Sequence, residues 1–171
     1  MSERRLVLLR HAKAEPGHDL DSDELRPLAP KGRDQAGGVG KAFGAAGLAP
    51  QVALVSTALR TRQTWDLLAK KLGGAPPELR LEPELYLASV ADVLELVRAL
   101  GDTVTTVLVV GHEPTMAATA AHLAGPGSDD AALAQVRVGV PTAAWSVLES
   151  DEDWRGWGRG KARLLSVSRP S

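Results

Sequence analysis

Two histidines stand directly behind apolar runs: Val7-Leu8-Leu9 stops at Arg10-His11, and Val107-Leu108-Val109-Val110 stops at Gly111-His112. If both runs are buried strands, both imidazoles lie at strand ends, where the loops of an open α/β sheet converge on a ligand. A third element, Ser56-Thr57-Ala58-Leu59-Arg60-Thr61-Arg62-Gln63-Thr64, follows another strand-like run at 52–56. Arg60 and Arg62, two residues apart, do not share a helix face, so at most one of them points into a common pocket. Arg60, nearer the strand end, is the candidate.

Phosphoryl transfer through a histidine needs a neutral nitrogen aimed at phosphorus, cations on the nonbridging oxygens, and an acid for the leaving group. His11 supplies the nitrogen. Arg10 and Arg60 supply permanently charged, forked donors that match phosphate oxygens better than a lysine does. With His112 arriving from a neighbouring β/α turn, two histidines and two arginines surround one anion. Burying such arginines without an anion is costly, so the set reads as a phosphate-handling site with Arg10, Arg60 and His112 as the phosphate-binding group.

The elements that must position these residues follow from the pattern. Strand-like runs at 5–9, 52–56, 104–110, 143–148 and 162–167 alternate with helical periods, which predicts a layered α/β domain with a mostly parallel sheet. A first helix is predicted over Pro30 to Ala46. It carries Gly37, Gly38, Gly40 and Gly44, each costing roughly 1 kcal/mol relative to Ala, so its stability must come from packing on the sheet. Trp65, Leu68, Ala69 and Leu72 predict a second helix from Leu59 to Leu72 with Trp65 in the core. Ser89 and Asp92 form a capping box that opens a third, and Gly111-His112-Glu113-Pro114 opens a fourth with Pro114 in its first turn. Residues 125–131 and 150–160 read as loops, with Trp154 and Trp157 covering a hairpin.

Composition bounds the partners. The 171 residues suit one domain spanning 1–171, and 20 Lys and Arg against 21 Asp and Glu leave no global field to attract nucleic acid or an anionic membrane. One Phe and one Tyr do not make a base-stacking platform. No apolar stretch approaches a membrane span, and too few apolar residues follow Met-Ser-Glu-Arg-Arg for a secretory segment, so a soluble, cytoplasmic protein is expected. The absence of cysteine excludes disulfides, thiolate catalysis and Cys-based zinc sites.

The sequence resembles the histidine phosphatase superfamily, with its phosphoglycerate-mutase-like fold, and within it the short SixA-like phosphohistidine phosphatases. The resemblance rests on Leu9-Arg10-His11-Ala12, on Arg26-Pro-Leu-Ala-Pro-Lys-Gly32-Arg-Asp-Gln35-Ala36, on Ser56 through Thr64, and on Val110-Gly111-His112-Glu113-Pro114, in family order. It implies a three-layer α/β/α sandwich and transient phosphorylation of His11. Arg10 and Arg60 would hold the phosphoryl group, His112 would stabilise its transfer, and neither metal nor cofactor would be needed. It also points to Glu84, in Leu81-Glu-Pro-Glu-Leu-Tyr86, as the proton donor, beside the reading of Glu84 as a solvated loop carboxylate. Two positions depart from the family pattern: Ala12 replaces the usual Gly, and Thr57 replaces the usual Pro. Neither removes a reacting group.

The expected substrate is phosphohistidine in a protein or another phosphomonoester. A mutase built on the same residues would need lid segments to keep water from the phosphoenzyme, and few residues separate Arg60 from His112. A phosphate-binding module without turnover is the reading from a different class. A metal hydrolase lacks a His-x-x-x-His pair or an Asp cluster. Lys13 reads as solvated, and His18 and His122 lie outside the expected site.

Overall fold

The computed structural model describes residues 3–17 and 22–170. Its strands are β1 (Arg4–Arg10), β2 (Val52–Ser56), β3 (Glu78–Glu82), β4 (Thr106–Gly111), β5 (Trp145–Ser150) and β6 (Arg163–Ser168), and they form a single sheet in the order β3-β2-β4-β1-β5-β6. β1, β2, β3 and β4 are parallel, while β5 runs antiparallel to both of its neighbours. The helices are α1 (Pro30–Ala46), α2 (Leu59–Ala69), α3 (Val90–Arg98), α4 (Thr115–Leu123) and α5 (Asp130–Val138).

Strand periodicity divides the core into two layers. Leu6 and Leu8 of β1 join Val107 and Val109 of β4 against α3, α4 and α5. Val7 and Leu9 join Leu108 and Val110 against Phe43 of α1 and Trp65 and Leu68 of α2. This is the expected three-layer sandwich, and Trp65 lies in its core. With both faces covered, β1 and β4 are continuously apolar through their middles, Leu6 to Leu9 and Val107 to Val110, as parallel central strands are.

The glycines of α1 are packing devices. A Cβ on Gly40 would lie 2.4 Å from the Leu68 carbonyl oxygen of α2, and one on Gly32 would lie 1.9 Å from that of Lys13. Gly32 therefore lets the start of α1 press on the loop that leaves His11. Gly32→Ala is expected to cost about 2–3 kcal/mol or more, because backbone has to move. Gly37→Ala, where an added methyl meets nothing, is expected to stabilise by up to about 1 kcal/mol. Urea midpoints of the two variants check the pair.

The structure departs from the sequence expectations in four places. β3 was not among the predicted strands: Glu-Leu-Arg-Leu-Glu is a largely exposed edge with no buried face to impose a pattern. α5 occupies part of what read as loop, opened by the Asp129 side chain accepting from the Ala132 N–H. β5 begins at Trp145, because Ala143 holds a left-handed φ of 62° just before it. α2 ends at Ala69, short of Leu72. The Ser89–Asp92 capping box forms as expected, and Pro114 precedes α4 as its N-cap. Trp154 and Trp157, both in the β5–β6 connection, are fully buried, with ring centroids 4.9 Å apart and the Trp154 indole donating to the Val104 carbonyl at 2.7 Å. Among the described residues no helix is long and apolar enough to cross a membrane.

Candidate active site

The parallel register pairs Arg10 with Gly111, so the next residues on the two strands, His11 and His112, emerge side by side with ring centroids 5.4 Å apart. The backbone of His11 and Ala12 is held from three directions. Its N–H donates to the Gly111 carbonyl at 3.1 Å, and its carbonyl accepts from the Ala143 N–H at 3.0 Å. The Ala12 N–H donates to Thr64 Oγ1 at 3.0 Å, and that hydroxyl donates to the Arg60 carbonyl at 2.7 Å. One threonine of α2 thus ties the loop after β1 to the turn that carries Arg60.

The His11 ring is buried, and its Nδ1 lies 2.7 Å from the Ala12 carbonyl. A carbonyl only accepts, so Nδ1 is assigned as the protonated nitrogen and Nε2 keeps its lone pair. Burial pushes the His11 pKa down to about 4; the bond to Ala12 opposes this, and the Arg60, Arg10 and Arg26 charges add to it. His112 is pushed to about 3 by burial, then by His11 and Arg60. Both imidazoles are therefore neutral at pH 7.

His112 Nε2 lies 2.8 Å from Ser56 Oγ, the last residue of β2. Ser56 Oγ accepts the Ala58 N–H at 3.4 Å, which leaves its own proton for His112 Nε2. On that assignment His112 carries its hydrogen on Nδ1, a buried atom with no partner among the described residues. Arg10 Nε and Arg60 Nε are buried and unpaired in the same way. These three unpaired donors belong to residues of one cluster, and the oxygens of an oxyanion are the kind of acceptor they lack.

Arg10, the last residue of β1, is anchored by Nη1 donating to the Val140 carbonyl at 2.9 Å. Arg60, in the first turn of α2, is buried, and its guanidinium is engaged twice by Asp23: Nη1 to the carbonyl and Nη2 to Oδ2, both at 2.9 Å. Arg62 turns back to donate to the Thr57 carbonyl at 3.0 Å. The structure thus brings together Arg10, His11, Arg60 and His112.

Three residues join the cluster that sequence reasoning did not single out. Asp23 accepts from Arg60, from Arg26 at 3.0 Å and from the Tyr86 hydroxyl at 2.6 Å, and chiefly the Tyr86 bond holds its carboxyl well below the usual range. Tyr86 sets its ring edge-on to His112 at 5.6 Å and beneath the Arg60 guanidinium at 5.9 Å. Ser56 orients His112. Its place at a strand end, like that of the histidines, was the available signal; Asp23 and Tyr86 gave none.

Glu84 is not part of this constellation. It is exposed on the turn after β3, its carboxyl beside that of Glu82, while its near neighbour Tyr86 faces the pocket. Lys13 is exposed, with its backbone N–H bonded to Gln35 Oε1 at 2.9 Å, and His122 lies at the far end of α4. His18 falls outside the described residues. The Ala12 methyl is buried in the α1–α2 layer without a positive φ, and the Thr57 turn is tied by Thr61 Oγ1 donating to the Ser56 and Ala58 carbonyls, each at 2.8 Å. Arg60 keeps its place although the turn lacks a proline.

Known proteins resemble this chain in sequence and in fold. Residues 6–86 match the histidine phosphatase superfamily, branch 1. The SixA structure from Nakamurella multipartitia is 32% identical, covers 99% of this chain and 98% of its own, and superposes with a TM-score of 0.85. The protein histidine phosphatase SixA complexed with tungstate is 26% identical, with 97% of each chain covered and a TM-score of 0.79. Rv1276c, an uncharacterized protein of Mycobacterium tuberculosis, is 41% identical over 95% of this chain and 99% of its own. In fold, in motif order and in relatives matched over nearly their whole length, the chain belongs to the histidine phosphatase superfamily, among its SixA-like members.

Proposed function

We propose that residues 1–171 act as one cytoplasmic, metal-independent phosphatase domain that removes the phosphoryl group from phosphohistidine in a protein, through a phospho-His11 intermediate. The observation that carries this reading is His11 itself: a neutral imidazole with Nδ1 committed to a carbonyl and Nε2 free, set between Arg10, Arg60 and His112. Nε2 attacks phosphorus, and the bond from phosphorus to the substrate nitrogen breaks. The two guanidiniums and the His112 Nδ1–H neutralise charge on the nonbridging oxygens. Water then attacks phospho-His11, Nε2 recovers its electron pair, and the water proton leaves with phosphate. A related SixA structure is complexed with tungstate, an oxyanion of similar shape, which is consistent with an anion ligand for a site of this kind.

The leaving group narrows the substrate. An alkyl ester departs as a strongly basic alkoxide and needs a proton donor, whereas a phosphorylated imidazole protonated on its other nitrogen departs as a neutral ring. Asp23, the carboxylate within the cluster, is held ionised and engaged with Arg60 and Tyr86, which makes it a poor acid. The site is therefore suited to the P–N bond. Hydrolysis of free phosphohistidine is expected to exceed that of an alkyl phosphate such as glycerol phosphate by at least about 100-fold in kcat/KM, the scale of a missing general acid. Equal or faster turnover of the alkyl ester would refute the substrate assignment and leave a general phosphomonoesterase.

A further inference from the structure

A groove of about 750 Å³ runs along α4. It begins at Glu113 and Pro114, directly after His112, and extends to His122 and Arg159. At 1.5 Å per residue, the nine residues of α4 make it roughly 13 Å long, more than two turns of a facing helix. Its floor is Ala117, Ala118 and Ala121, side chains small enough to admit a close neighbour. At its rim Val138 is 84% exposed, an apolar side chain left in solvent on the segment that anchors Arg10 through Val140.

Apart from Glu113, the ionised side chains lining this groove are cationic. Arg137 and Arg159 line it, and among the described residues neither forms an ion pair. Burial lowers the His122 pKa, and the neighbouring Arg159 and Arg98 charges add to it. The acidic lining residue, Glu113, has its oxygens taken up by the backbone, accepting from the Ala117 N–H at 2.8 Å and from the Val140 N–H at 3.1 Å. In a chain of net charge −1 this sets two arginines over an apolar floor, in a groove whose end residues, Glu113 and Pro114, directly follow His112 in the chain.

We infer that this groove docks the phosphohistidine-bearing protein through an acidic, amphipathic helix next to its phosphorylated residue. The inference rests on the phosphohistidine reading above. The apolar face of the helix lies on α4 and Val138, its carboxylates meet Arg137 and Arg159, and the phosphohistidine reaches His11 past the end of the groove beside His112. Charge pairing of this kind raises the rate of productive encounter and selects among partners more than it strengthens chemistry at the site. It gives the site a means of choosing one phosphoprotein over another.

The test uses three probes: free phosphohistidine, a helical phosphohistidine peptide with Glu along its polar face, and the same peptide with Lys in place of Glu. The intact protein is expected to favour the Glu peptide over the Lys peptide by about tenfold in kcat/KM, mostly through KM, with the preference shrinking at about 0.5 M salt. Arg137→Glu combined with Arg159→Glu is expected to abolish or invert the preference while free phosphohistidine is hydrolysed within about twofold of the original rate, which also reports that the variant is folded. Equal hydrolysis of both peptides by the intact protein, or a preference that survives the double substitution, overturns the docking groove and leaves the phosphohistidine reading standing. Failure to hydrolyse any of the three probes overturns that reading and the groove with it.

Discussion

His11→Ala is expected to lower turnover by at least about 10⁴-fold and to abolish the acid-quenched phosphoenzyme, because no other group in the cluster replaces its nitrogen as nucleophile. His112 is the obvious substitute, but its Nε2 is engaged by Ser56 and its remaining Nδ1 carries the hydrogen. The check is rapid mixing with a labelled phosphodonor, an acid quench that preserves phosphohistidine, and peptide mapping. Label that accumulates on His11 and then decays is the expected course in the unsubstituted protein. Label on His112, or full activity in His11→Ala, would remove His11 from the mechanism.

The same residue sets a pH dependence. A histidine with its ordinary pKa of about 6.5 would lose nucleophilicity as pH falls through that value. Burial, reinforced by the neighbouring guanidiniums, moves His11 to about 4, and the neutral form dominates above the folded-state pKa. The enzyme limb of kcat/KM should therefore stay flat from pH 7 to pH 5 and fall near pH 4, once the ionisation of the substrate is divided out. An acid limb centred near 6.5 that belongs to the enzyme would contradict the buried, neutral imidazole.

Arg60→Ala is expected to reduce kcat/KM by about 10²–10³-fold, the range found when a donor to a developing oxyanion is removed. Arg60→Lys should recover only part of the loss, since a lysine restores charge without the planar fork. Arg60 differs from Arg10 in its partner: Arg10 leans on a neutral backbone carbonyl, whereas Arg60 is held by the Asp23 carboxylate. A phosphate approaching Arg60 has to compete with a carboxylate tethered by the chain, whose effective concentration is about millimolar or higher. Asp23→Asn removes the negative charge from that competitor, and inorganic phosphate is expected to inhibit the variant several-fold more strongly. Unchanged inhibition by phosphate would mean that Asp23 does not contest the anion site. Steady-state kinetics of the three variants, with phosphate as inhibitor, decides between these outcomes.

Much of this site was legible from the chain because its members are tied to strand ends. Arg10, His11 and His112 terminate apolar runs, and Arg60 follows one within a turn, so local pattern and the geometry of parallel sheets place them together. Asp23 and Tyr86 depend on tertiary approach: one sits in a polar turn before α1, the other after an exposed edge strand, and their meeting over Arg60 has no periodic signature. Glu84 shows the limit of placement by motif. It occupies the expected segment, yet the adjacent turn directs Tyr86 inward and leaves Glu84 in solvent. α5 and β3 escaped for a related reason: α5 buries only Ala132 and Val136, and β3 buries none of its residues, so neither carries the apolar period that marks an element in sequence.

The position of β1 between β4 and β5 bears on how the molecule acquires activity. Arg10 pairs with Gly111 on one side, and Leu9 pairs with Trp145 on the other, so the strand that leads into His11 is completed only by segments from the second half of the chain. Such distant pairings carry the largest loop-closure entropy and form late when contact order is high. Helix signal should therefore return first in refolding, and phosphatase activity should return with the final closure of the sheet. Recovered turnover then reports complete folding, and a nascent or partly unfolded chain is catalytically silent.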